Sequence, residues 1–159
     1  MKQTGIRIIK LTVILLIFSS GCRKPAQTEW YHPFSDRNWE RYNILRFEIP
    51  INDAGESHNI TLFAYLSSEF EFQELPFNMV METPSGEERI NEYLLQFRSK
   101  NGNPINQCTK DSCLVQVILK QDLRINKPGI LLLEIENLNP RLLTAGVYGV
   151  GIRVTPSSH

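Results

Sequence analysis

Two closely spaced cysteines, Cys108 and Cys113, are the first residues of this chain whose type and spacing suggest chemistry. The four residues between them are enough to close a hairpin-like loop that brings the thiols together. In an exported protein such a pair forms a disulfide by default, here worth about 2–3 kcal/mol because the loop is short. Two thiols alone make a poor metal site, and redox pairs more often enclose two residues. We therefore predict a structural disulfide.

The third cysteine, Cys22, ends a segment that has the features of a bacterial export signal. Residues 1–21 combine a basic head with an uncharged, mostly apolar run over 11–18, which is shorter than the roughly 20 residues that span a bilayer core. Three small residues then precede Cys22, an order that resembles the lipobox of bacterial lipoproteins. We predict residues 1–21 to be a lipoprotein signal peptide and Cys22 to carry the lipid, with acyl chains such as palmitate.

Two other interpretations of this segment stay open: an uncleaved anchor helix, or ordinary signal cleavage that leaves Cys22 as an idle thiol. In the lipoprotein interpretation, residues 22–29 are the lipidated cysteine and a short tether, because 23–29 lack apolar periodicity and contain a proline. Arg23 stands where an Asp would retain an enterobacterial lipoprotein in the inner membrane, and no acidic run follows. We expect the lipid to hold the protein at the periplasmic face of the outer membrane.

The histidines and carboxylates form no recognisable catalytic or metal site. His32, His58 and His159 are far apart in sequence, and none belongs to a pair with metal-ligand spacing. The sequence contains no nucleophile elbow, phosphate-binding loop or zinc signature. Two carboxylates that meet in space would leave a small glycoside hydrolase possible, although no particular pair stands out. We expect a non-enzymatic protein with no catalytic residue, cofactor, metal or small-molecule substrate.

An aromatic cluster opens the region after the tether. Trp30, Tyr31 and Trp39 lie within ten residues of one another, and we consider them a candidate platform for binding a sugar or a protein partner. The alternative interpretation, which we favour, is that these rings cover the open end of a folded domain.

The charge balance argues against nucleic acid as a partner. The first 21 residues contain three basic residues and no acidic one, so the remainder of the chain carries 14 basic and 17 acidic residues. A mildly acidic body lacks the basic face that displaces counterions from a phosphate backbone.

Alternation of apolar and polar residues dominates the rest of the chain and predicts strands, with turns at 84–86 and 127–129 where proline and glycine occur together. The predicted strands cover residues 45–49, 59–66, 77–82, 92–98, 114–120, 130–136 and 147–154. Residues 137–143 read as a loop or a single helical turn. The fold class is therefore all-β: an antiparallel β-sandwich of about seven or eight strands in one domain over residues 30–159.

The last predicted strand has two different faces. Tyr148, Val150, Ile152 and Val154 are expected to face one way. Gly149 and Gly151 lie on the opposite side, where their missing side chains allow another backbone to approach closely.

The order of these features resembles the GldH-type gliding motility lipoproteins of Bacteroidota. The similar segments are the lipobox that ends at Cys22, residues 31–34, Trp39, 47–49, Asp53, 58–62, 75–78, 83–86, 128–129, 134–136 and 146–154. Between Phe97 and Cys113 the chain departs from the family, which usually has a segment with Gly and Trp there.

The resemblance implies a non-enzymatic envelope component associated with the gliding machinery that also serves type IX secretion. Its expected partners are the membrane, through the lipid on Cys22, and other envelope proteins of that machinery. A periplasmic β-sandwich lipoprotein that binds glycans through the aromatic cluster is the alternative.

Overall fold

The computed structural model describes residues 28–99, 101–102 and 107–157, and this part of the chain is built from strands joined by turns and loops. Eleven strands follow one another in the described residues: β1 (Thr28–Pro33), β2 (Asn38–Glu40), β3 (Leu45–Ile51), β4 (Ser57–Ser67), β5 (Glu74–Glu82), β6 (Glu88–Gln96), β7 (Gln107–Cys108), β8 (Ser112–Arg124), β9 (Gly129–Asn137), β10 (Leu143–Ala145) and β11 (Val147–Pro156). No helix in these ranges is long and apolar enough to cross a membrane. The predicted signal peptide and Cys22 lie outside the described residues.

The strands form two main antiparallel sheets and a small two-stranded ribbon. One sheet has the order β1-β11-β4-β8-β7, and the other has the order β3-β9-β5-β6. The ribbon pairs β10 with β2. Buried side chains of both main sheets belong to one hydrophobic core, so the predicted all-β antiparallel sandwich is confirmed.

All seven predicted strands are present, and the four additional ones are short strands that alternation does not reveal. Strands β2, β7 and β10 have three, two and three residues, which is too few for a periodic signal. Strand β1 lies at the edge of its sheet, and five of its six residues are exposed. Thr28 and Glu29, which the sequence interpretation assigned to the tether, belong to this strand.

The core follows from the alternation of apolar residues that the sequence shows. In β3, every second side chain from Leu45 to Ile51 is buried, and the charged ones between them are exposed. The same alternation over 74–82 in β5 and 131–137 in β9 buries one face of the four-stranded sheet. Burying a side chain of this size contributes about 1.5–3 kcal/mol, so the packing of the two faces dominates the stability of the domain.

Strand β11 departs from the predicted pattern at Tyr148. The pairing with β4 shifts between Val147 and Gly149, so Tyr148 is the extra residue of a β-bulge. Its side chain lies outside the core cluster, whereas Val150, Ile152 and Val154 share one side of the strand as predicted and belong to that cluster. The hydroxyl of Tyr148 instead donates to the carbonyl of Asp111, with an oxygen–oxygen distance of 3.1 Å.

The loops of the sandwich lie at two opposite ends. We call the end where β1 begins, at Thr28, the proximal end; it also holds the loops at 52–56 and 125–128. The opposite, distal end holds the β2–β10 ribbon, the loop at 68–73 and the turn at 109–111. The distal end therefore gathers segments that are more than 100 residues apart in sequence.

One buried side chain ties the distal end together. Asn137, at the end of β9, is fully buried, and its Nδ2 donates to the Trp39 carbonyl at 3.1 Å and to Thr144 Oγ1 at 2.8 Å. Its Oδ1 accepts from the Asn139 backbone N–H at 2.9 Å, and Asn139 Oδ1 in turn accepts from the N–H of Arg141. These bonds hold both strands of the ribbon and shape residues 138–142 as a loop, without a helical turn.

Replacing Asn137 by leucine, which has a similar volume, should lower the free energy of unfolding by about 2–4 kcal/mol, because buried groups of Trp39 and Asn139 lose their partners. Urea unfolding of the purified protein measures the change. The matched control, Asn91→Leu on exposed β6, should change the free energy by less than about 0.5 kcal/mol. If both variants lowered the free energy of unfolding equally, the buried hydrogen-bond network would make no specific contribution to stability.

Tyr93 joins the two sheets on the side where β6 approaches β8. Its hydroxyl donates to the Leu119 carbonyl at 2.8 Å, and its ring stacks on Phe77 with the ring centres 5.5 Å apart. Burial raises the pKa of Tyr93 above its ordinary value. The pKa of Tyr93 is therefore higher in the folded state than in the unfolded state, where it is about 10. The resulting stabilisation is fully present below that unfolded-state pKa and is lost as the pH rises through the folded-state pKa.

We expect Tyr93→Phe to cost about 1 kcal/mol at neutral pH through the lost hydrogen bond, and to make the stability fall less steeply between pH 9 and pH 11. Unfolding in urea across this pH range checks both effects. Tyr42→Phe, at a tyrosine that is 74% exposed, is the control and should leave the neutral stability and the alkaline slope unchanged. A Tyr93→Phe slope identical to that of the parent protein would contradict the assignment.

Candidate functional site

The two predicted disulfide residues lie directly opposite each other at the distal end. Cys108 in β7 pairs with Cys113 in β8, and a disulfide joins them. The backbone N–H of Thr109 donates to the Ser112 carbonyl at 2.7 Å, which closes the turn between the strands. Cys113 is buried in the core and Cys108 is exposed, so the bond fastens the short edge strand β7 to the body of the sheet.

The structure does not bring the three rings of the predicted aromatic platform onto one surface. Trp39 is 1% exposed, packs on Phe34, and donates from its Nε1 to the Asn43 carbonyl at 3.1 Å. Trp30 and Tyr31 are successive residues of β1 and lie on different sides of the sheet. Trp30 is half-buried against the core, while Tyr31 lies on the outer face.

The outer face of the five-stranded sheet carries an aromatic cluster of its own. The rings of Tyr31 and Phe63 are nearly parallel with centres 6.1 Å apart, and Tyr65 meets both rings edge-on. Burial, followed by the charge of Tyr65, raises the pKa of Tyr31. Because the Tyr65 ring stands at a steep angle to the other two rings, the three rings do not form one flat stacking surface.

The glycines of β11 make room for this cluster. A Cβ on Gly149 would come within 2.2 Å of the Tyr31 hydroxyl oxygen, and one on Gly151 within 2.3 Å of Phe63 Cζ. Carbonyl oxygens of the neighbouring strand β1 lie nearly as close, at 2.6–2.7 Å from the same positions. The space left by the missing side chains is therefore filled by two rings together with the adjacent backbone.

Neither of the two histidines in the described part of the chain belongs to a group of metal ligands. His32 is an exposed residue of β1, and its ring meets Phe34 edge-on at 5.2 Å. His58 lies at the proximal end, where it lines a groove of about 140 Å³ together with Asp53 and Glu56. Within the described ranges, no group of three or more His, Cys, Asp or Glu residues is arranged to hold a metal ion. His159 lies outside the described residues.

A large polar groove, of about 780 Å³, opens at the distal end. Its walls come from the loop after β1, the end of β4 and the disulfide-closed turn before β8, and they carry Arg37, Glu69, Lys110 and Asp111. The bulged Tyr148 also lines the groove, with the Arg37 guanidinium 5.1 Å from its ring centre. Mixed charges and an open shape suit contact with a polar macromolecular surface better than enclosure of a small molecule.

Arg37 has a strained backbone that the surrounding chain holds in place. Its φ is +60°, a left-handed conformation that costs about 1–3 kcal/mol for a residue other than glycine. The Arg37 carbonyl accepts hydrogen bonds from the N–H groups of Gly146 and Val147, at 2.8 and 3.0 Å. The strained residue thus links the loop after β1 to the start of β11 and fixes where its side chain leaves the chain.

An exposed apolar surface also lies at the distal end, next to the β2–β10 ribbon. We call Tyr42, Ile44, Leu142 and Leu143 the distal apolar patch; each of these side chains is more than half exposed. The two segments adjoin because the Arg41 N–H donates to the Leu142 carbonyl at 2.9 Å, and Leu143 pairs with Glu40 in the ribbon. Isolated exposed apolar residues are ordinary, but a group of them on adjoining segments marks an interaction surface.

Arginines stacked on aromatic rings are concentrated at the same end of the sandwich as this patch. Four of the five arginine–ring contacts in the described residues lie at the distal end: Arg37 on Tyr148, Arg41 on Tyr42, Arg98 on Phe97 and Arg141 on Phe72. Their guanidinium carbons are 4.8–5.8 Å from the ring centres. Such stacking holds a guanidinium in place while leaving its N–H edge available to a ligand.

Sequence reasoning did not identify this distal surface. The available signal was weak: three dipeptides join an arginine to an aromatic residue, and two of them, Arg41-Tyr42 and Phe97-Arg98, form stacks at the distal end. The other two stacks join residues far apart in the chain, so they become visible only after folding.

Comparison with known proteins supplies the family. No curated protein matches the chain. The GldH lipoprotein family matches residues 27–154, from the start of β1 almost to the end of the last strand, and this covers most of the chain. By this match, the chain belongs to the GldH lipoprotein family.

Proposed function

We propose that this protein is a non-enzymatic envelope lipoprotein that serves the gliding motility and type IX secretion-associated machinery as a component or assembly factor. The family match over residues 27–154 is the observation that carries the proposal, because it spans the whole sandwich. Membership of this family makes the chain a gliding-motility-associated lipoprotein anchored in the cell envelope. The assembly role and the absence of catalysis are the parts that we add.

The proposed anchor is the lipid on Cys22. This residue lies six positions before Thr28, the first residue of β1, so the tether to the folded domain is short. Several acyl chains at ~0.8 kcal/mol per buried methylene hold a protein at a membrane far more firmly than one chain does. We place the anchor in the periplasmic face of the outer membrane, on the evidence of the residues that follow Cys22.

The geometry of the described residues supports binding of other proteins. The distal groove of about 780 Å³ is open and polar, and the exposed apolar patch at the same end combines tyrosine, leucine and isoleucine with the stacked Arg41 on Tyr42. Tyrosine and arginine are the residue types that contribute most at protein interfaces. The glycan-binding alternative has less support, because Trp39 is buried and Trp30 and Tyr31 lie on different sides of the sheet.

The first test is deletion of the gene and complementation with Cys22→Ser. We expect deletion to impair type IX secretion, to impair surface spreading in cells that glide, and to lower the levels of partner lipoproteins. The Cys22→Ser protein should lack the acyl groups, leave the membrane fraction and fail to complement. Mass spectrometry of the N-terminal peptide and fractionation of the envelope measure the anchor directly.

The double variant Cys108→Ser, Cys113→Ser is the matched control, because it removes two cysteine sulfurs and leaves Cys22 unchanged. It should still be acylated and remain in the membrane fraction. An unmodified thiol at Cys22 in the parent protein would refute the anchor. Unchanged motility, secretion and partner levels after deletion would refute the assembly role.

A further inference from the structure

We infer that the distal apolar patch, together with Arg41 and Arg37, docks a protein segment in which carboxylates stand next to apolar side chains. This inference rests on the proposed function, because it names the surface and the partner chemistry of a protein-binding lipoprotein. Four observations carry it: the position of the patch, its composition, the state of its arginines and the rigidity of its support.

The position of the patch favours a protein over the anchoring membrane. The six residue steps from Cys22 to Thr28 span at most about 20–22 Å when fully extended. Strand β4 has eleven residues and rises about 3.3 Å per residue, so the distal end lies about 36 Å from the proximal end, where the tether enters. The short tether keeps the proximal end next to the membrane, and the distal end faces the aqueous compartment.

The composition of the patch matches the centre of a protein interface. Tyr42 is 74% exposed, and Ile44, Leu142 and Leu143 add apolar area on both sides of the ribbon. A tyrosine ring that carries a stacked guanidinium offers apolar area and hydrogen-bond donors at one place. Leaving so much apolar surface in water is unfavourable, and a partner that covers it recovers about 25 cal/mol for each Å² buried.

The arginines point to carboxylates on the partner. Arg141 is already neutralised by Glu71, with a nitrogen–oxygen distance of 2.6 Å. Arg37 and Arg41 have no acidic partner within 4.0 Å among the residues that the structure describes. Each is held against a ring, so its N–H groups are preorganised for the two oxygens of a carboxylate.

The support beneath the patch is rigid. Asn137 and Asn139 fix the loop that leads to Leu142, and the Arg37 carbonyl holds Gly146 and Val147. A surface that is already ordered loses little entropy when a partner binds. The partner can therefore be recognised without rearrangement of the ribbon.

Site-specific photocrosslinking in intact cells tests the inference with the full-length, membrane-anchored protein. A benzophenone amino acid replaces Tyr42, and a parallel strain carries it at Ile130, a half-exposed residue near the proximal end. Mass spectrometry then identifies the crosslinked peptide. We expect a single protein segment with Asp or Glu within a few residues of apolar side chains from position 42, and no such product from position 130.

Charge reversal supplies the second arm. For this arm the benzophenone replaces Leu142, and the crosslink to the same partner segment is measured with and without Arg41→Glu. The charge reversal should reduce the yield of that crosslink by about tenfold, which corresponds to loss of one interfacial charge contact. The matched control is Arg89→Glu, an exposed arginine of β6 that is paired with Glu87 near the proximal end, and it should leave the yield unchanged. Equal effects of the two reversals would overturn the inference.

The remaining outcomes also decide the question. Products that contain only lipid, only a second copy of this chain, or segments without carboxylates would each overturn the inference, as would the absence of any product from position 42. Failure of the broader proposal looks different, because deletion of the gene would then have no phenotype. If deletion impairs secretion but the Arg41→Glu protein complements fully, the proposed function stands and the docking surface is refuted.

Discussion

The distal end of this domain depends on a single buried amide. Asn137 has no access to water, so both ends of its amide need partners within the protein, and the partners present are the Trp39 carbonyl, Thr144 and the Asn139 N–H. The hydrogen bonds of Asn137 hold the ribbon and the loop before β10 against the end of β9. The exposed apolar residues and their arginines stand on this framework, so the most distinctive surface of the domain derives from its most completely buried polar contact.

The core and the outer face of the five-stranded sheet illustrate how the chain divides its aromatic residues between stability and surface. Trp39 belongs to the core, whereas Tyr31 and Phe63 cover the glycines of β11 from outside. Because the outer rings fill space that the missing side chains leave, they protect the backbone of the sheet and do not form an open binding platform. Tyr42, at the distal end, is more exposed than either tyrosine of this outer cluster.

Much of the architecture was predictable because it follows from a local period. The seven long strands, the core faces of β3 and β11 beyond its bulge, and the closely spaced Cys108 and Cys113 are all readable over a few residues. The bulge at Tyr148 was not predictable, since a register shift depends on the partner strand. The distal surface was hidden for the same reason: residues 41–44 and 141–143 adjoin only because β2 pairs with β10, and pairing across 100 residues leaves no local signal.

The disulfide couples the shape of this surface to the compartment in which the protein matures. Cys108 and Cys113 close the hairpin whose turn, at 109–111, forms one wall of the distal groove. Thiols stay reduced in the cytoplasm and are oxidised beyond it. A precursor that is still in the cytoplasm therefore lacks the disulfide that closes this hairpin. If the protein is exported as we propose, this bond forms only after translocation, in the compartment where the protein is anchored.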